Sequence, residues 1–302
     1  MSRLTSRPIA AHERYRPIDV PLGGGNLHVG VWEASTFHPK GTLLAIHGIT
    51  GTHLSWQWLA EELTDWRLIA PDLRGRGRSN GLQGPFGMAR HADDLAVALA
   101  AAGMPEPVTV IGHSMGGYVA LVLAHRHPER VRRLLLVDGG IPVQLPEGVR
   151  PEDALTAVLG PTAERLNKTF ASLDEVDTLW QHHPGLQGQW GPELAAYAEY
   201  DLRGEEPELR PSTRYEAMAE DSADIQLGDA LPAAMEALAH PAVFLRAERG
   251  MQNQPGGLFT TEWAAEWAAR IPGLEVRDMP DTNHFTIVMS DFGSRLLAAA
   301  VR

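Results

Sequence analysis

The stretch VTVIGHSMGGYVALVLAHRH, residues 108–127, changes its period in the middle. Val108 to Ile111 is a short β-branched run that reads as a buried strand. From Gly116 the apolar residues continue with helical spacing to His127. Between the two lies Gly112-His113-Ser114-Met115-Gly116, a G-x-S-x-G pentapeptide. Five letters alone say little. A strand before them and a helix after them describe a tight turn that strains Ser114 and exposes its hydroxyl at a helix N-terminus. Gly112 and Gly116 leave room for that turn. The bland alternative is a Gly-rich turn with no chemistry.

Working outward, the same alternation recurs. Apolar runs at 27–34, 42–48, 66–72, 131–138, 242–248 and 274–280 read as strands. Helical spacing occupies 53–64, 86–103, 261–270 and 285–301. Strands apolar throughout suit a mostly parallel central sheet flanked by helices, an α/β class. PIDVPL, GGGN and LHVGVWEA instead predict an antiparallel hairpin at one edge. After Asp138 the alternation stops for about a hundred residues of helical character, as in PEDALTAVLG and PELAAYAEYDL, with no clear strand. We therefore expect a core formed by 1–140 and 241–302, with 141–240 inserted as a helical unit.

Composition sets the limits. The 302 residues are 44% hydrophobic and 21% charged, ordinary for a globular chain. No uninterrupted apolar run approaches about 18 residues, so no membrane span is expected. The N-terminus lacks an apolar signal core, and cytoplasm is the expected location. Cysteine is absent, which removes disulfides, thiolate nucleophiles and Cys-bound metals. The net charge is −12, and residues 141–240 hold 19 Asp and Glu against 6 Lys and Arg. So acidic a chain is a poor partner for nucleic acid or anionic lipid.

Four motifs, in order, resemble the α/β-hydrolase superfamily over most of the chain outside 141–240. They are AIHGITG with His47 and Gly48, the loop Asp72-Leu73-Arg74-Gly75-Arg76-Gly77-Arg78-Ser79, the elbow GHSMGG, and MPDTNHFTIV with His284. The resemblance implies the α/β-hydrolase fold with a helical cap (lid) at the insertion. It implies a serine hydrolase in which Ser114 is the nucleophile and His284 the base. It assigns the oxyanion-hole N–H groups to Ile49 and Met115, with His47 structural. No cofactor or metal is called for. The expected partner is a small-molecule substrate, and nothing in the sequence reads out an oligomeric state. His113 is expected to point its side chain away from that of Ser114.

The third catalytic residue is the open question. The family usually places an Asp in a Gly-x-x-Asp loop after the strand that here ends near Glu248. Laid on AERG, the Gly position is Ala247 and the Asp position is Gly250. Glu248 lies two residues upstream and is one candidate. The other is Asp138, at the end of the strand after the elbow, where haloalkane dehalogenases and zearalenone-type lactonases carry their acid. Two glycines follow it, so the backbone there can approach the His loop closely. Both keep the order Ser–acid–His.

The implied reaction is cleavage of a carboxylic ester or lactone of a moderately apolar small molecule. Thioester, carbon–carbon bond and perhydrolysis chemistry on the same scaffold, or a non-catalytic binding homologue, are the alternatives. Phe170, Trp180, Trp190, Tyr197, Tyr200 and Tyr215 could line the pocket or form the cap's own core. RGRGRS (74–79) reads as a structural loop rather than a phosphate patch. HADD (91–94) reads as part of a helix rather than a metal site. Gln252 and Asn253 are expected beside the pocket.

Overall fold

The computed structural model describes residues 13–144, 148–150, 160, 162 and 164–302. The expected edge hairpin is β1 (Tyr15–Leu22) and β2 (Gly25–Trp32), joined antiparallel through a Gly23-Gly24 turn. There follow β3 (Thr42–Ile46), β4 (Arg67–Pro71), β5 (Val108–His113) and β6 (Val131–Val137). Two short strands, β7 (Leu202–Arg203) and β8 (Arg210–Pro211), pair with each other in the insertion. The last two are β9 (Ala242–Arg249) and β10 (Leu274–Asn283). Eight strands form one sheet in the order β1-β2-β4-β3-β5-β6-β9-β10, parallel from β4 onward.

Alternating side chains bury both faces of this sheet. Leu44, Ile46, Val108 and Val110 point into one apolar layer, packed under α2 (Met88–Ala101) and α3 (Met115–Arg126). Leu43, Ala45 and Ile111 point into the other, under α1 (Gln57–Glu62) and the C-terminal helix Asp291–Val301. Each fully buried Leu or Ile contributes on the order of 2 kcal/mol. That explains why the strands read as continuous apolar runs.

The segment between β6 and β9 is helical over Leu173–Gln181, Pro192–Tyr200, Tyr215–Leu227 and Ala230–Glu236. The helical reading of 151–159 lies outside the described residues. The β7–β8 ribbon was not legible in sequence. Two-residue strands carry no alternation, and this ribbon is organised by Asp201, which accepts the Ser212 backbone N–H at 2.8 Å and its hydroxyl at 2.6 Å. The helix expected over 285–301 starts only at Asp291. Ser290 takes the N-cap, its hydroxyl accepting the Gly293 N–H, while 284–288 form a turn.

Candidate active site

β5 delivers Ser114 to the carboxyl end of the sheet. Its backbone sits at φ 53°, ψ −120°, a conformation non-glycine residues rarely adopt. Backbone bonds hold it there: Ser114 N–H donates to Val137 O, and Gly117 N–H to Ser114 O, both at 2.9 Å. The surrounding glycines are a matter of space. A Cβ on Gly112 would lie 2.1 Å from Gly116 O, one on Gly116 would lie 2.1 Å from Ile46 O, and one on Gly139 would lie 2.1 Å from Ser114 O.

β6 runs beside β5 with His113 opposite Val137, so the next residue, Asp138, ends level with Ser114. Asp138 is fully buried. One carboxylate oxygen accepts the Ala247 N–H at 3.1 Å, and the other lies 2.7 Å from His284 Nδ1. With both oxygens acting as acceptors, His284 donates from Nδ1. Its Nε2 keeps the lone pair, the tautomer a base needs. The other acid candidate lies elsewhere. Glu248 is exposed and accepts the Asp281 N–H at 2.8 Å.

His284 sits on the turn after β10, and Asn283 builds that turn. Its side-chain oxygen accepts the N–H groups of Phe285 and Thr286 at 2.9 Å, and Thr286 Oγ1 accepts the Asn283 N–H. This is a reciprocal capping pair. Asn283 Nδ2 also reaches Gly185 O in the insertion and Asn253 Oδ1. Sequence reading passed over Asn283, although Asn-x-x-Thr after a strand is a visible capping signal.

It also gave His113 no role. His113 lines the pocket that contains Ser114 and His284, and its Nε2 donates to His284 O at 2.8 Å. Burial, then the neighbouring His284, push its pKa well down, so it stays neutral. The register of the elbow gave no sign of this, because the partner is a backbone atom 171 residues away.

The Gly48–Ile49 peptide lies on the other side of Ser114. His47 Nδ1 donates to Gly48 O at 2.7 Å, and the Gly51 N–H also binds that oxygen. With this carbonyl gripped, the trans N–H of Ile49 must point the opposite way. His47 Nε2 accepts the Leu73 N–H at 2.9 Å, and burial lowers its pKa to about 4. Met115 is the first residue of α3, where backbone N–H groups have no partner within the helix.

Ser114, Asp138, His284, His113, Ile49 and Met115 line one pocket with apolar walls that include Val143, Leu258, Val288 and Met289. The insertion contributes Trp180, Tyr197, Ser222, Ile225 and Gln226. Phe170 and Tyr200 are buried away from it, and Tyr215 is exposed. From the loop after β9, Met251, Leu258 and Phe259 reach the pocket, and Gln252 and Asn253 do not.

The 72–79 loop is anchored throughout. Asp72 accepts from His53 N and Nδ1, Arg78 N and the Tyr200 hydroxyl. Burial opposes its charge, but His53 and the other donors hold its carboxyl well below the usual range. His28 lies near enough to join His53 and Asp72 around a cation. Every carboxylate oxygen of Asp72 already has protein donors, so we assign this cluster to structure. His91 and Asp94, from HADD, bind Asp221 and Arg74 respectively.

The sequence pattern of the alpha/beta hydrolase fold family matches residues 41–193. Lipase LipV of Mycobacterium tuberculosis (strain ATCC 25618 / H37Rv) is 34% identical over 141 residues, covering 45% of this chain and 52% of the relative. The 2-hydroxymuconate semialdehyde hydrolase of Pseudomonas putida is 43% identical over 81 residues, covering 26% and 28%. The chain thus spans about half, or less, of the length of these curated relatives. The crystal structure of E-2-(acetamidomethylene)succinate hydrolase superposes with a TM-score of 0.74 at 21% identity, covering 95% of this chain and 97% of that one. No helix among the described residues is long and apolar enough to cross a membrane. With its elbow, its sheet order and a family pattern spanning half its length, the chain belongs to the alpha/beta hydrolase fold family.

Proposed function

We propose that this protein is a serine hydrolase that cleaves a carboxylic ester or lactone of an uncharged, moderately apolar small molecule. The observation that carries this reading is the 2.7 Å contact of His284 Nδ1 with the buried Asp138 carboxylate, at a pocket shared with the strained Ser114. In the proposed cycle, His284 Nε2 takes the Ser114 proton as Oγ adds to the carbonyl carbon. The carbonyl oxygen becomes an oxyanion held by the N–H groups of Ile49 and Met115. His284 returns the proton to the leaving alkoxide. It then deprotonates a water that cleaves the acyl-enzyme and regenerates Ser114. Asp138 keeps the imidazole in its tautomer and stabilises the cation formed on the way.

The substrate class follows from the walls. Apart from the histidines, Asp138 is the one ionisable acidic or basic side chain among the described lining residues in contention for charge at neutral pH. An anionic acyl group would find no cation there. The segment 141–240 serves in this reading as a cap, with Trp180, Tyr197 and Ile225 closing the pocket over the substrate.

A fluorophosphonate probe tests the core of this. Wild type is expected to label at Ser114 and the Ser114→Ala variant to remain unlabelled. A folded wild type that takes no label would sink the reading and favour a binding role. A panel of neutral esters, lactones and thioesters, each beside a carboxylate-bearing analogue, then ranks substrates. Neutral members are expected to have the higher kcat/KM.

A further inference from the structure

Arg76 is fully buried beside the proposed oxyanion site, and the ester mechanism gives it no part. Its Nε donates to Ile49 O at 2.9 Å and its Nη1 to Arg74 O at 2.9 Å. Nη2 lies 4.0 Å from the sulfur of Met115. The same guanidinium therefore touches both residues whose N–H groups would hold the oxyanion. Its counter-ion comes from the insertion: Asp221, on the helix Tyr215–Leu227, meets Nη1 at 2.6 Å. Asp221 is itself pinned by the Gly87 N–H at 2.6 Å and by His91 Nε2 at 2.9 Å. The adjacent residue Ser222, with Ile225 and Gln226 one turn on, faces the pocket.

We infer that Arg76 and Asp221 are positioning residues that fix the oxyanion site from the insertion side. His47 clamps the Gly48–Ile49 peptide, and Arg76 clamps the Ile49–Thr50 peptide that follows. Ile49 is thus held at both ends, and the second clamp is oriented by the helix that also contacts the substrate space. A guanidinium suits the site because two directed donors reach two backbone carbonyls while the same group pairs with a carboxylate; a lysine ammonium lacks that planar fork. The inference rests on the serine-hydrolase reading.

The test compares Arg76→Lys and Asp221→Asn with Asp94→Asn. The control breaks another buried pair of the same loop, Arg74–Asp94 at 2.8 Å, which does not reach Ile49. Substrate is the best neutral ester of the panel. The second probe is a trifluoromethyl ketone, whose adduct with Ser114 places an oxyanion in the hole. Both test variants are expected to lower kcat about tenfold or more, with KM within about threefold, and to weaken ketone binding in parallel. Asp94→Asn should lower the thermal midpoint with kcat within about threefold of wild type. The inference is overturned if the test variants keep wild-type kcat and ketone affinity, or if the control loses as much kcat as they do. Should Asp221→Asn fail to fold, Arg76→Lys, which keeps the charge, decides alone. Wild type that neither labels nor hydrolyses would instead be a failure of the serine-hydrolase reading.

Discussion

The Asp138 side chain is fully buried, and its two oxygens meet one backbone N–H and one imidazole. An amide in its place can present an N–H to His284 Nδ1 and so stabilise the wrong tautomer. Asp138→Asn is therefore expected to lower kcat by roughly 10³–10⁴ in steady-state assays while the protein remains folded. Glu248→Gln is expected to stay within about twofold, because the exposed Glu248 bonds the Asp281 N–H and not the imidazole. The opposite ranking would place the acid in the loop after β9. Asp138 itself sits at φ 45°, in the left-handed region that its surroundings hold in place.

At the scale of elements, the elbow works because three chain segments approach at backbone distance. β5 turns into α3, and Gly139 of the β6 exit presses against the Ser114 carbonyl. No side chain there can move aside. Gly139→Ala is thus expected to abolish labelling of Ser114 and to cost about 3 kcal/mol or more of stability, read from denaturant unfolding. A stable, labelled Gly139→Ala variant would show that the turn has more room than its contact with the Ser114 carbonyl allows. The His284 turn is a second local device. Asn283 caps it and ties it to Gly185 in the insertion and to Asn253. Asn253, on the loop after β9, thus braces the His284 turn through Asn283.

For the whole molecule, the burial of neutral histidines sets a pH limit. Burial lowers the His47 pKa to about 4 and pushes that of His113 well down. The unfolded chain protonates its histidines near pH 6.5, and the folded one protonates His47 and His113 only at lower pH. Stability from His47 is therefore complete above about pH 6.5 and is lost as pH falls toward 4, by about 3 kcal/mol. The buried Asp72 and Asp221, held ionised by their partners, lose their contribution only at still lower pH. Thermal melts should therefore show the midpoint dropping between pH 6.5 and 4, with a shallower drop for His47→Gln. A flat midpoint across that range would contradict it.

How much of this was legible in the sequence depends on range. The strands of the parallel sheet, the edge hairpin and the elbow were readable because continuous apolar runs and a glycine-framed serine are local patterns. Ser114 and His284 follow from them, since each sits one residue beyond a recognisable strand. The sequence could narrow the acid only to Asp138 or Glu248, for a strand end does not say which carboxylate turns inward. It missed His113, Asn283 and the Arg76–Asp221 pair, whose partners are 171, 98 and over a hundred residues away. What the sequence determined by itself is the fold class and the elements that bear the site, because periodicity is written along the chain. Only the tertiary structure decided which acid meets His284 and what grips the peptides on either side of Ile49. Those contacts depend on parallel register and on the packing of the insertion, and neither leaves a local trace.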